Sequence, residues 1–289
     1  MRVVDAAESA VSGTQGSGRL SPWRERTMLF GLLIVVAAIN GVEPRLVSSM
    51  KAGLPVALLS LFGVSAVIWF ALYALLKLAL AADCLDPVRR GDWLVMAGLL
   101  VASIFPIAIA ASAAMVGAGL YLWLTTENGS PLRRVAIIVL ALTGPLFWGP
   151  AVLALLGPEI TRIETAVIAS ASGFRTMGNV FWAVDGQTRF VVAGACSSLA
   201  NISLTLLFIA TLTQLLDIPI NARLVPVVVG GLAATIFVNC VRIASIGHFP
   251  QALDYLHNGG GQQLFSWASL LLMGTIVGAG LLRVAPRNV

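Results

Sequence analysis

Residues 93–125 read WLVMAGLLVASIFPIAIAASAAMVGAGLYLWLT, an apolar run whose reading decides the topology of the chain. At 1.5 Å rise per residue, a helix from Trp93 to Thr125 is longer than a bilayer's hydrocarbon core of about 30 Å requires. Pro106 stands near its middle, where it would interrupt the helical hydrogen-bond ladder. We therefore read two short crossings rather than one long one.

The rest of the chain has the same character. Of 289 residues, 58% are hydrophobic and 11% charged, and the mean hydropathy is +0.92, far from a soluble globular domain. Further apolar runs span about Met28 to Gly41, Leu54 to Ala82, Val135 to Leu156, Ser198 to Leu216, Ala222 to Ser245 and Gln263 to Leu282. With 93–125 crossing twice, this is an all-α polytopic membrane protein of about eight transmembrane helices. The basic residues then obey the positive-inside rule: Arg19, Arg24, Arg26, Arg89, Arg90, Arg133, Arg134, Arg283 and Arg287 all fall on the cytoplasmic side. A single crossing would move the N-terminal cluster outside. The net charge of +5 comes from these scattered residues, so nucleic acid is not an expected partner.

Four regions are expected: a flexible cytoplasmic tail over 1–27, a transmembrane bundle over 28–157, an outer-face segment over 158–195 and a transmembrane core over 196–289. No small-x-small cleavage site follows the first apolar run, which is kept as a span. The outer-face segment is the longest polar interruption. Ile160, Ile163, Val167, Ala171 and Phe174 have the spacing of a helix lying on a membrane. Residues 179–184 and 188–192 then flank Asp185-Gly186-Gln187, the pattern of a β-hairpin. No metal or cofactor motif is present, and Cys84, Cys196 and Cys240 suggest no disulfide framework. A ladder of intramembrane carboxylates, which would mark an ion pathway, is also missing.

Three residues reach one face of the membrane by counting crossings. Cys196 precedes the span from Ser198, Arg242 lies about a turn before the outer end of the next, and His257 falls in the loop before the last. A lone cysteine is ordinarily an apolar filler. Free amides at a helix start and a nearby cation both favour a thiolate, however, and Cys196 is expected to have both. A charge inside an apolar span costs at least about 2.5–3.5 kcal/mol, so Arg242 should have a partner or a task such as stabilising an oxyanion; snorkelling to the interface is the alternative. Asn239, one turn back, is placed to orient Arg242 or to meet a substrate. His257 suits a general acid or base, with His248 as its rival. Cys240 points away from Arg242 and is expected to pack. Gly230, Gly231 and Ala234 allow close helix approach, chiefly for ordinary packing.

The region from about Thr176 to Leu282 resembles the exosortase/archaeosortase family. Gly178-Asn179, Val192, Ala195-Cys196-Ser197 and Leu199 resemble the segment around its nucleophilic cysteine. Asn239-Cys240-Val241-Arg242-Ile243 is similar to its Asn-x-x-Arg-Ile motif, and His257 with Phe265 to its closing histidine segment. Ser198 and Ala200 stand where bacterial members commonly have Gly and Arg. The resemblance implies a cysteine protease or transpeptidase of the cytoplasmic (inner) membrane, working on its outer face. Its partners would be secreted proteins with a C-terminal sorting signal: a Pro-Glu-Pro-type motif, a transmembrane helix and a basic tail. Cys196 would form a thioester, His257 would shuttle protons and Arg242 would stabilise charge, with Ser197, Asn239 and His248 in support. A link to exopolysaccharide machinery is a further expectation. The competing readings are a non-enzymatic transporter or scaffold for polysaccharide export, which needs no thiol, and a membrane acyltransferase.

Overall fold

The computed structural model describes residues 26–51, 53–80, 87–105 and 107–285. Most of the expected 1–27 tail, together with Cys84, Pro106 and Arg287, lies outside these residues. Among the described residues, five helices are long and apolar enough to cross a membrane, and two shorter apolar helices cover Ala66–Leu80 and Leu199–Leu215. The chain is an all-α membrane protein with one small sheet.

The 93–125 run divides on either side of its proline. Helix α4 (Arg90–Ile104) ends there, and α5 (Ala108–Thr125) begins. The two pack as an antiparallel pair, since their distal ends are tied: Tyr121 Oη donates to Asp92 Oδ1 at 2.9 Å, and Arg89 Nη1 to the Thr125 carbonyl at 3.2 Å. Interrupting a helix frees carbonyls that lipid cannot satisfy. Asn40, on α1 (Arg26–Lys51), donates to the carbonyls of Ser103 at 2.8 Å and Phe105 at 2.9 Å.

At the other end of this pair lies a buried ion pair. Arg26 Nε is 2.9 Å from Asp92 Oδ2, both side chains 0% exposed, and Arg26 Nη2 donates to Thr125 Oγ1 at 2.9 Å. Arg26 and Thr27, counted above with the tail, are thus buried residues of the first turn of α1. The Arg133 guanidinium lies 4.4 Å from the Trp123 ring centroid, and Arg134 pairs with Asp217. These contacts gather the starts of α1, α4 and α6 (Pro131–Thr143) and the ends of α5 and α8 (Leu199–Leu215) at one end of the bundle.

Short helices α2 (Leu54–Leu59) and then α3 (Ala66–Leu80) follow α1. The largest core cluster joins residues of α1, α3, α4, α5, α6, α8, α9 (Val225–His248) and α11 (Gly260–Val284). Gly231 permits the close approach of α9: a Cβ there would fall 2.9 Å from Val277 Cγ2 on α11 and 3.3 Å from Thr205 Cγ2 on α8. Packing between its own helices therefore occupies this glycine.

Helix α7 (Gly149–Ser172) continues from α6 through a π-turn at 144–148, giving an unbroken helical run of 42 residues. The helix expected from Glu159 is therefore the second half of α7, and Gly157-Pro158 does not break it. Its apolar stripe faces outward, as a lipid-facing side would. Ile163 and Val167 are 60% and 54% exposed, while Thr161, Thr165 and Ile168 are buried. An apolar outer face is the stable arrangement for a helix against lipid, and the hydroxyls of Thr161 and Thr165 satisfy themselves on the carbonyls of Gly157 and Thr161.

Beyond α7 the chain forms a three-stranded antiparallel sheet of β1 (Thr176–Met177), β2 (Val180–Trp182) and β3 (Arg189–Val191). Gly186 has φ 70°, and the Asp185 carboxylate accepts from the amides of Gln187 and Thr188 and from the Thr188 hydroxyl. These bonds hold its carboxyl below the ordinary carboxylate range. Phe174 and Phe181 stack at 5.3 Å, and the Val184 amide donates to the Gly247 carbonyl, joining the sheet to the end of α9.

Candidate active site

Cys196 closes a 3₁₀ turn, Gly194–Cys196, three residues ahead of α8. Its Sγ lies 3.2 Å from His257 Nε2. These atoms are 61 residues apart in sequence, and hydrogen-bond reach is the geometry a thiol and its general base require. His257 is carried by α10 (Leu253–Asn258), so the expected outer loop is helical here. Gly260 and Gly261 form the first turn of α11. A Cβ on Gly261 would fall 2.8 Å from the Tyr255 carbonyl oxygen, so glycine is what lets α11 start so close behind His257.

His248, the rival histidine, ends α9 and is exposed, its ring 4.9 Å from that of Phe174. It belongs to the aromatic contact under the sheet. Cys240 packs, as expected: it and Cys196 both lie against the buried cluster of Ile168, Phe181, Val192 and Ile243.

Arg242 is partly buried on α9, with its Nε enclosed, and it has no hydrogen bond or ion pair among the described residues. It lines a cavity of about 530 Å³ between α8, α9, α11 and the segment around Ser60, which reaches the cysteine turn at Ala195 and Ser197. Gln262, Gln263 and Ser266 add polar groups to its wall. An uncompensated guanidinium beside a cavity of this size, within the usual range for ligand sites, is suited to an anionic group.

Asn239 is tied to the cysteine turn through its amide nitrogen. It is 4% exposed, and its Nδ2 donates to the Cys196 carbonyl at 2.9 Å and to Ser198 Oγ at 3.1 Å. It therefore holds the cysteine turn through Nδ2, while its Oδ1, on the wall of the same cavity as Arg242, is enclosed with no hydrogen-bond partner among the described residues. The opposite side of the turn is held by Glu164, from α7, a residue that sequence reasoning missed. Glu164 Oε1 accepts from the Ser198 amide at 2.8 Å and from Ser197 Oγ at 3.0 Å. Ser197 Oγ in turn accepts from the Leu199 amide at 3.2 Å. The signal was available: Glu164 lies between Thr161 and Ile168 on one helical face, a carboxylate in an otherwise uncharged stripe.

These bonds complete the accounting around the thiol. The Cys196 amide donates to the Ala193 carbonyl and the Ser197 amide to that of Gly194. The amides of residues 196 to 199 are thus all engaged. Two consequences follow. The start of α8, expected to favour a thiolate, instead receives the Glu164 carboxylate. Charge developing on a substrate oxygen would also need side-chain stabilisation, and Arg242, on the cavity wall that includes Ala195 and Ser197, is a cation with no partner among the described residues. Among the described residues, no group of three or more His, Cys, Asp or Glu side chains could hold a metal ion. Compared with known proteins, the chain matches no family model, no curated protein and no solved structure.

Proposed function

We propose that this protein is a membrane-embedded cysteine peptidase or transpeptidase. It acts on the C-terminal sorting signals of secreted proteins, at the outer face of the cytoplasmic membrane. The observation that carries the reading is the 3.2 Å approach of Cys196 Sγ to His257 Nε2. In this reading the chain crosses the membrane eight times, through α1, α3, α4, α5, the α6–α7 rod, α8, α9 and α11. The Arg89 and Arg133 end faces the cytoplasm, and the sheet with its β2–β3 hairpin faces outward.

His257 takes the thiol proton as Cys196 attacks the scissile carbonyl carbon. The carbonyl π-electrons move to oxygen, where the Arg242 guanidinium balances the charge. Collapse expels the amine, which takes a proton from His257, and leaves a thioester on Cys196. Water would resolve it to a carboxylate, and an amine to a new amide. Either product regenerates the thiol.

The test is co-expression with a tagged secreted protein ending in a Pro-Glu-Pro-type motif, a transmembrane helix and a basic tail. Processing is expected to vanish in Cys196→Ala and to fall by roughly 10²-fold or more in His257→Ala. Unchanged processing in Cys196→Ala would sink the proposal and favour a transporter or scaffold. A lipid acyl group rather than a peptide on the trapped thioester would instead identify an acyltransferase.

A further inference from the structure

The turn that carries Cys196 is gripped from two helices, and the two grips are complementary. Asn239 from α9 supplies hydrogen-bond donors to the Cys196 carbonyl and Ser198 Oγ. Glu164 from α7 supplies the acceptor for the Ser198 amide and the Ser197 hydroxyl. The first amides of a helix have no intrahelical partner, and here the carboxylate takes the Ser198 amide directly and fixes Ser197 Oγ against that of Leu199. Without Glu164, the turn would keep its carbonyl-side hold and lose its amide-side hold.

We propose that Glu164 is the positioning residue of the nucleophile, setting the 194–198 turn so that the Cys196 thiol faces His257. This deepens the cysteine-peptidase reading and rests on it. Glu164 has a feature that ordinary helix capping does not need. Its Oε2 is enclosed with no hydrogen-bond partner among the described residues, although a buried carboxylate oxygen is costly to leave unpaired. Packing against the turn therefore takes precedence over the satisfaction of Glu164 itself. The two bonds of Oε1 require an acceptor oxygen at that position but no negative charge, so a glutamine amide oxygen can replace it, whereas alanine cannot.

The test needs no substrate. In the full-length protein in detergent, with Cys84→Ser and Cys240→Ala leaving Cys196 as the reporter thiol, its alkylation by iodoacetamide at pH 7 is followed by intact mass. His257→Ala is expected to slow alkylation by at least about tenfold in this parent. With Glu164→Ala the same histidine substitution should change the rate less than about twofold, because the thiol no longer faces the ring. Glu164→Gln should restore the full dependence on His257. Where Glu164→Ala does not fold, Glu164→Asp, one methylene too short to reach the turn, replaces it with the same expectation.

A His257 effect of equal size with and without Glu164 overturns the proposal, as does a His257→Ala that leaves the parent rate unchanged. The processing assay reports separately. Loss of thiol coupling in Glu164→Ala, combined with processing that survives Cys196→Ala, would uphold the positioning role and remove the peptidase reading. The converse pair of results would do the reverse.

Discussion

Replacing Asp92 by alanine tests the physical basis of the bundle at the end remote from the thiol. The carboxylate does three things: it neutralises Arg26 at 2.9 Å, accepts from Tyr121 Oη at 2.9 Å and accepts the Arg89 amide at 2.6 Å as part of the α4 capping box. Arg26 and Asp92 are 0% exposed, so Asp92→Ala takes a counter-charge away from an enclosed guanidinium. Breaking a buried pair in this way costs about 3–5 kcal/mol. The lost cap and tyrosine bond, each about 1 kcal/mol, fall largely within that figure because the groups form one network. Arg26→Met/Asp92→Leu removes both charges and keeps the volume apolar. It should lie within about 2 kcal/mol of the parent, since the Arg89 amide and Tyr121 hydroxyl lose an acceptor and Thr125 Oγ1 a donor but no charge is left buried at this pair. Unfolding by graded sodium dodecyl sulfate from detergent micelles, followed by tryptophan fluorescence, would give the three free energies. A cost under about 1 kcal/mol for Asp92→Ala, or a double variant as unstable as the sum of the singles, would refute the argument.

The remaining predictions concern the end of the bundle that carries the thiol and the sheet. His248→Ala should leave processing within about twofold of wild type, because its ring meets Phe174 rather than the thiol; a loss comparable to that of His257→Ala would overturn that separation. Gly247→Ala places a Cβ 2.5 Å from Phe174 Cζ and 2.8 Å from Phe181 Cε2, an overpacking of about 1–3 kcal/mol. Limited proteolysis should then cut between α7 and α8 faster than in wild type. The Asp185 carboxyl titrates below its ordinary value because the folded turn hydrogen-bonds its charged form. Its contribution is complete above that ordinary value, about 3.9, and is lost as pH falls through the lowered one. Amide exchange at Gln187 and Thr188, corrected for intrinsic pH dependence, should accelerate on acidification. Asp185→Asn should flatten that change.

The apolar runs and the split of residues 93–125 are readable without coordinates, because they follow from bilayer thickness and the missing amide of proline. Counting crossings also puts Cys196 and His257 on one side of the membrane, although an extended order of crossings cannot tell which histidine reaches the thiol. In the second half of α7, Ile163 and Val167 form the exposed side and the hydroxyl-bearing face turns inward, the reverse of what the same spacing would mean in a soluble protein. In a protein whose surroundings are apolar, hydrophobicity no longer says which face is inside. Arg26 shows the same difficulty for charge, since a basic residue near a chain end resembles a topology signal until its carboxylate partner is in view.

By itself, the sequence determined that this is a helical membrane protein, because that depends on local composition, and counting crossings supplied the expectation that Cys196, Arg242 and His257 share a face. Tertiary structure decided the rest. His257 rather than His248 meets the thiol, Asn239 and Glu164 hold the turn from opposite sides, and the amides of residues 196–199 are already engaged. Each of these depends on distances between side chains tens of residues apart, which are set by the packing of α7, α9 and α10 around the turn and not by any local pattern.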